Sequence, residues 1–402
     1  FLYFIVPHLL LQMSATDVSR WSSSCPVQKG SPSRKPNTSH VLVLYVGGTI
    51  GMMPTKTTDG SLGPVSGYLT SELRQMHELN VSDDTSDAPS HPPLGVERAK
   101  LEAALSSSKN VSSVATQQPQ QASSSTVGSV VPTFDIIEYA NLLDSSDMDA
   151  SDWIMIARDI ERYYYLYDGF LIAHGTDTMH FTASALSFLL HNLAKPVILT
   201  GAMVPLIEPY NDARRNLVMG MMFAGSPDIC EVCIYSNDVL LRGNRSVKLR
   251  HTLSAFASPN YPPLAIMQAQ SFRARRHLVL PAPTGPLGIH SDMSGRIMTV
   301  LIHPDFDSQT IMTLLRKGKP KKKNSRHELL DCLIIELLGI GDTVSEAALR
   351  LKELITTACE VGCVVVATLH DLYGGFSPRM LDRARDLLGE EAIFVGDMTT
   401  EA

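Results

Sequence analysis

The chain has 402 residues, 44% of them hydrophobic, and a formal net charge of −7 at pH 7. That length points to two or three domains with ample apolar material for their cores. The acidic balance gives no electrostatic reason to bind nucleic acid or an anionic membrane, and no apolar stretch is long enough to span a bilayer.

Residues 1–39 read as a disordered lead-in, rich in Ser, Pro, Lys and Arg from residue 14 onward. Residues 1–11 are apolar but lack an initiating Met and a basic flank, so they read as a fragment or upstream sequence, with Met13 as the start, rather than as a signal peptide. An apolar run at 41–46 predicts a buried strand, closed by GGTIG at 47–51. The paired glycines allow tight backbone geometry and close approach by a ligand to Thr49. Residues 52–67 then form a Gly/Thr/Pro-rich loop, long enough to act as a lid.

Residues 81–131 collapse into Ser, Gln, Pro and Asp, and read as a disordered insertion within a domain. A strand resumes at 134–140 and runs into a polar turn containing Asp144, Ser145 and Ser146. The helix after it begins near Ser151, with Trp153, Ile156, Ala157 and Ile160 inward. The apolar run 169–173 predicts a second buried strand, followed by HGTDTM at 174–179 and a long apolar helix from Phe181. A further strand, turn and helix (195–224) lead to a strand across 229–235 that contains Cys230 and Cys233. At that spacing on a strand two side chains point to opposite faces, which argues against a shared metal or redox pair. Six cysteines in so long a chain are no disulfide scaffold; they read as reduced thiols in a cytoplasmic protein. Arg242, Arg245, Lys248 and Arg250 form a basic cluster of the kind that usually makes a solvated face.

Residues 281–292 read as a linker, and 293–402 as a smaller α/β unit in which the strand–helix rhythm repeats. The basic run at 316–326 within it reads as a solvated insertion. The chain stops soon after DMTT at 397–400, which reads as a truncated C-terminus. Strands alternating with helices imply parallel sheets with right-handed crossovers. The predicted fold is therefore α/β in two domains. The larger N-terminal parallel-sheet domain (40–280) carries Thr49 and Thr176, and the smaller one is C-terminal.

Thr49, the Asp144–Ser145–Ser146 turn and the Thr176–Asp177 turn all follow strand C-termini, where ligands sit in open parallel sheets. Lys248 comes from a later loop. A threonine hydroxyl needs a base before it is a useful nucleophile, and a lysine oriented by a carboxylate can be that base. Backbone N–H groups at a glycine-rich turn can hold an oxyanion. This inventory suits hydrolysis of an amide or ester. A zwitterionic substrate fits as well, its ammonium on Asp177 and its carboxylate on Ser145 with nearby N–H groups. The scattered histidines offer no coherent metal set.

The ordered motifs GGTIGM (47–52), DSSDM (144–148), HGTDTM (174–179), LTGAM (199–203), RGNR (242–245) with Lys248, and FASPN (256–260) resemble the bacterial-type L-asparaginase family, most like its cytosolic type I branch. The resemblance covers about residues 40–402 and implies asparagine hydrolysis to aspartate and ammonia with no metal or organic cofactor. It implies Thr49 as the acylated nucleophile and Thr176, Asp177 and Lys248 as a second catalytic group. Asp144, Ser145 and Ser146 would hold the amino-acid end of the substrate, and the chain would assemble as a homodimer or homotetramer. Where the family's lid often carries a tyrosine this chain reads DGSLG (59–63), with Tyr68 beyond; Val247 stands where a threonine is common. Two alternatives are an amidotransferase subunit releasing ammonia for a tRNA-bound substrate, and a non-catalytic module cradling nucleotide phosphate at residues 47–51.

Overall fold

The computed structural model describes residues 28–29, 39–54, 62–79, 131–268, 271–318, 329–339 and 346–402. The predicted lead-in at 1–39, the insertion at 81–131 and the basic run at 316–326 lie almost wholly outside the described residues.

The central strand, His40–Gly47, has apolar side chains on both faces and is buried along nearly its whole length. Val41, Val43 and Tyr45 enter one core, while Leu42, Leu44 and Val46 enter the other. A two-sided apolar strand belongs in the middle of a parallel sheet covered by helices on both faces. Thr133–Leu143 pairs parallel on one side of it and Gly169–Ala173 parallel on the other. Val197–Thr200 and Val232–Ser236 continue the parallel run. Val239–Arg242 and the strands after it turn antiparallel, so the large sheet is mixed at that edge. The helices Ala150–Tyr163 and Met179–Leu189 cover one face, and Tyr68–Gln75 and Ala213–Ala224 the other.

In chain order the five parallel strands lie 2-1-3-4-5 across the sheet. The direction of winding therefore reverses between the first and third strands. Connections leave the carboxyl ends of those strands in opposite directions and open a crevice there. The turns bearing Thr49 and Thr176 sit on that pair of strand ends.

The strand containing Cys233 begins at Val232, so Cys230 precedes it, and the opposite-face argument made for one continuous strand does not apply. Both thiols are nonetheless free, as are Cys332, Cys359 and Cys363. Residues 52–67 do not form one continuous loop: Met52–Pro54 and Leu62–Pro64 pair antiparallel.

The smaller sheet is parallel, in the order Ile297–Ile302, Cys332–Leu337, Val364–Leu369 and Ile393–Phe394. Its core packs Leu333, Ile335 and Val365 against Met312, Leu354, Ile355 and Ala358 of the helices. The segment at 281–292 is not a free tether. Gly288–Ile289 pairs antiparallel with Leu190–His191, and Asn192 Nδ2 donates to the Pro286 carbonyl at 3.1 Å. Further contacts tie the C-terminal loops to the larger sheet: Arg245 Nε donates to Asp397 Oδ1 at 2.7 Å, and the Gly375 N–H to Asn260 Oδ1 at 3.2 Å.

Candidate active site

The first strand ends in Gly47 and Gly48, at φ 135° and 91°, and the chain then makes a single 3-10 turn over Thr49–Gly51. Both glycines are required for space as well as for torsion. A β-carbon on Gly47 would fall 2.2 Å from the Leu143 carbonyl oxygen, and one on Gly48 2.3 Å from the Gly175 α-carbon. Gly175 is pressed in turn against Ser145, whose Oγ would lie 2.7 Å from an added β-carbon. Glycine thus lets the Thr49, Ser145 and Thr176 turns stack backbone to backbone. Thr178 Oγ1 donates to the Ser145 carbonyl at 2.6 Å and bolts two of them together.

Lys248 arrives from the far side of the sequence. Val247–Lys248 pairs antiparallel with Phe256–Ala257, with Lys248 opposite Phe256. Its ammonium lies 3.0 Å from Thr176 Oγ1 and 2.5 Å from Asp177 Oδ1. The lysine side chain is only 8% exposed, whereas that of Asp177 is 55% exposed. A buried cation is thereby held by one hydroxyl and by a carboxylate that still faces solvent. Asp177 immediately precedes Thr178, the residue that leads into the Met179–Leu189 helix, a position where the helix dipole favours negative charge.

Thr49 is half-buried, and Thr176 and Ser145 are buried. Asp144 and Ser146 are exposed, and Asp144 Oδ1 accepts from the Ser146 N–H at 3.0 Å, capping its own turn. The strand ends therefore bring Thr49, Ser145, Thr176 and Asp177 to one edge, and Lys248 joins them from outside the parallel run. Arg242 departs from the solvated-face expectation. It is buried, with Nε 2.5 Å from Glu231 Oε2, because the guanidinium fills a polar niche at the sheet's antiparallel edge. Arg245 is likewise engaged, on Asp397.

Two histidines near the site were not singled out from sequence. His174 is fully buried, and burial pushes its imidazole down to about 4, which keeps it neutral. Its Nδ1 is 2.6 Å from the Gly175 carbonyl and its Nε2 2.9 Å from Thr182 Oγ1, which also accepts from Trp153 Nε1 at 3.0 Å. A neutral ring protonated at Nδ1 satisfies this chain and pins the carbonyl just before Thr176. His180 is also pushed down to about 4, first by burial and then by the charge of Lys248. The only sequence signal was position: His174 opens the HGTDTM turn and His180 follows it.

Among the described residues no group of His, Cys, Asp and Glu side chains is arranged to hold a metal ion, and no helix is long and apolar enough to cross a membrane.

Residues 40–280 match the family model described as "Asparaginase, N-terminal". L-asparaginase 1 of Escherichia coli K12 is 35% identical over 365 residues, covering 90% of this chain and 88% of the relative. L-asparaginase of Dirofilaria immitis is 33% identical over 371 residues, covering 90% of this chain but 55% of the relative, so the chain spans about half the length of that protein. Among solved structures, L-asparaginase I from Vibrio cholerae superposes with a TM-score of 0.65 at 30% identity, covering 91% of this chain and 90% of its own.

Proposed function

The chain belongs to the asparaginase family, and we propose that it hydrolyses the side-chain amide of L-asparagine to L-aspartate and ammonia through an acyl intermediate on Thr49. The observation that carries this reading is the lysine bridge, in which one buried ammonium meets both the Thr176 hydroxyl and the Asp177 carboxylate.

The chemistry needs two additions to one carbonyl carbon. In the first, Thr49 Oγ adds to the amide carbon. The C–N bond breaks as nitrogen takes the proton that Thr49 Oγ gives up, ammonia leaves, and an ester to Thr49 remains. In the second, water adds to the ester carbon, its proton is relayed through the Thr176 hydroxyl, held by Lys248, to Thr49 Oγ, and the Thr49 C–O ester bond breaks to restore the free threonine. Asp177 keeps the lysine on Thr176 and, being half-exposed, also offers an oxygen to the substrate ammonium. Ser145 and the N–H groups of its turn hold the substrate carboxylate, and Asp144 and Ser146 help to hold the amino-acid end of the substrate. Backbone donors at the glycine-rich turns stabilise the oxyanion of each tetrahedral state, each donor being worth about 3 kcal/mol in comparable sites. The reading requires no metal or organic cofactor. It includes a cytoplasmic location and assembly as a homodimer or homotetramer, for which the exposed Phe181 and Phe188 of one helix supply apolar surface.

The test is a coupled ammonia assay on asparagine and glutamine over a concentration series. Thr49→Ala, Thr176→Ala and Lys248→Met should each lower kcat by about a thousandfold or more, with unchanged circular dichroism. Wild-type rates in all three would overturn the mechanism. Release of ammonia only with a partner subunit and charged tRNA would replace it with the amidotransferase reading.

A further inference from the structure

Tyr45 lies two residues before Gly47, and its Oη is buried with no hydrogen-bond partner among the described residues. The ring ends against the nucleophile's turn: a β-carbon on Gly51 would fall 2.1 Å from Tyr45 Oη and 3.3 Å from Leu69 Cβ. The Thr49–Gly51 turn is therefore gripped from two sides, by Tyr45 of the central strand and by Leu69 of the Tyr68–Gln75 helix. Both sides of that grip converge on one carboxylate. Glu138 is the register partner of Tyr45 on the neighbouring strand. Its Oε1 accepts from the Gly67 N–H at 2.6 Å and its Oε2 from Thr70 Oγ1 at 2.7 Å. These are short bonds to a charged acceptor, about twice as strong as neutral ones, and the carboxylate sits at the helix N-terminus, where negative charge is favoured. Burial and the nearby Glu138 charge both raise the Tyr45 phenol, so it stays protonated.

We propose that Glu138 is a positioning residue for Thr49: it clamps the first turn of the Tyr68–Gln75 helix so that Leu69 and Tyr45 hold Gly51, and with it the nucleophile's turn, in one place. The inference rests on reading Thr49 as the nucleophile. Glu138 touches no reacting atom. Its effect runs through a closed ring of contacts, from Glu138 to Gly67 and Thr70, to Leu69, to Gly51, to Tyr45 and back across the sheet.

The experiment compares Glu138→Ala, Thr70→Val and Thr70→Ser with Ser39→Ala. The last removes the bond from Ser39 Oγ to the Gly225 carbonyl at 2.8 Å, away from the candidate site, and controls for stability alone. Glu138→Ala should lower kcat on asparagine about tenfold to a hundredfold with KM within about twofold, the signature of a displaced reacting group. Thr70→Val should give a smaller loss that Thr70→Ser restores. In parallel, amide hydrogen exchange read by mass spectrometry should quicken at residues 48–52 and 67–71 in Glu138→Ala, with the rest of the sheet unchanged. Unaltered exchange at 48–52, or a kcat no lower than that of Ser39→Ala, would overturn the inference. Inert wild-type protein would overturn the proposed reaction instead, and the exchange arm would still decide whether Glu138 holds the turn.

Discussion

Gly48 and Gly175 meet backbone to backbone, so that a β-carbon on Gly48 would lie 2.3 Å from both the α-carbon and the nitrogen of Gly175. This contact is what allows two turns, 127 residues apart in the chain, to stack with Thr49 and Thr176 each one residue beyond it. Gly48→Ala is strained twice, by a φ of 91° that disfavours side chains and by overlap with atoms that belong to backbone and cannot rotate away. Overpacking and left-handed torsion together cost about 3 kcal/mol or more. Urea titration should show that loss for Gly48→Ala. At Gly67, also at positive φ, a β-carbon would meet nothing within 4 Å, so Gly67→Ala should cost only the torsional part, about 1 kcal/mol.

A second expectation concerns pH. His174 and His180 are each held at about 4 in the folded protein, chiefly by burial. In the unfolded chain an imidazole protonates near its ordinary value of about 6.5. Above that pH both states are neutral and neither histidine affects stability. Between about 6.5 and 4 the unfolded chain binds protons that the folded one refuses, so stability falls as pH drops, by about 1.4 kcal/mol per pH unit for each histidine. Below about 4 this contribution levels off. Denaturant midpoints from pH 7.5 to 4.5 should show the decline, and His180→Ala should remove about 1.4 kcal/mol per pH unit from its slope. A slope unchanged by that substitution would mean that His180 is not held neutral in the fold.

Much of this arrangement was legible in the chain because it is local. The apolar run at 169–173 and the glycine-flanked threonines announce strands and turns through periodicity and torsion alone, and the alternation of strands with helices places those turns on one sheet edge. What escaped detection depends on register between distant segments. Arg242 looks like part of a solvated basic cluster until the pairing of Val239–Arg242 with Val232–Ser236 sets it beside Glu231. Cys230 looks like a strand residue because nothing local marks Val232 as the first paired position. Glu138 looks like one polar residue in a strand until it is seen opposite Tyr45. The burial of His174 follows from the Thr182 and Trp153 side chains of two different helices, a coincidence that no spacing rule encodes.

The Glu231–Arg242 pair yields a prediction that depends on whether one partner or both are removed. Both side chains are buried, and their charges are shared widely. Arg242 Nη2 donates to Glu231 Oε1 at 3.2 Å and to the Leu278 carbonyl at 2.6 Å, while Glu231 Oε1 also accepts from the Leu280 N–H at 2.9 Å. The guanidinium stacks 4.3 Å from the centre of the Tyr261 ring. Removing one ion strands the other in a low-dielectric niche, a loss of about 3–5 kcal/mol, whereas removing both replaces an expensive desolvated pair with packing. Arg242→Met and Glu231→Leu should therefore each be strongly destabilising. The double variant should recover most of the loss, giving a coupling energy of several kcal/mol in a double-mutant cycle, larger than the roughly 1 kcal/mol typical of exposed pairs. Because Leu278 and Leu280 lead directly into the segment that joins the two sheets, the single variants should also open that segment to limited proteolysis. The double variant should stay partly open there, since its apolar side chains cannot replace the bonds to the two backbone groups. Additive losses with no recovery would mean that the pair acts through those backbone bonds rather than through its mutual charge.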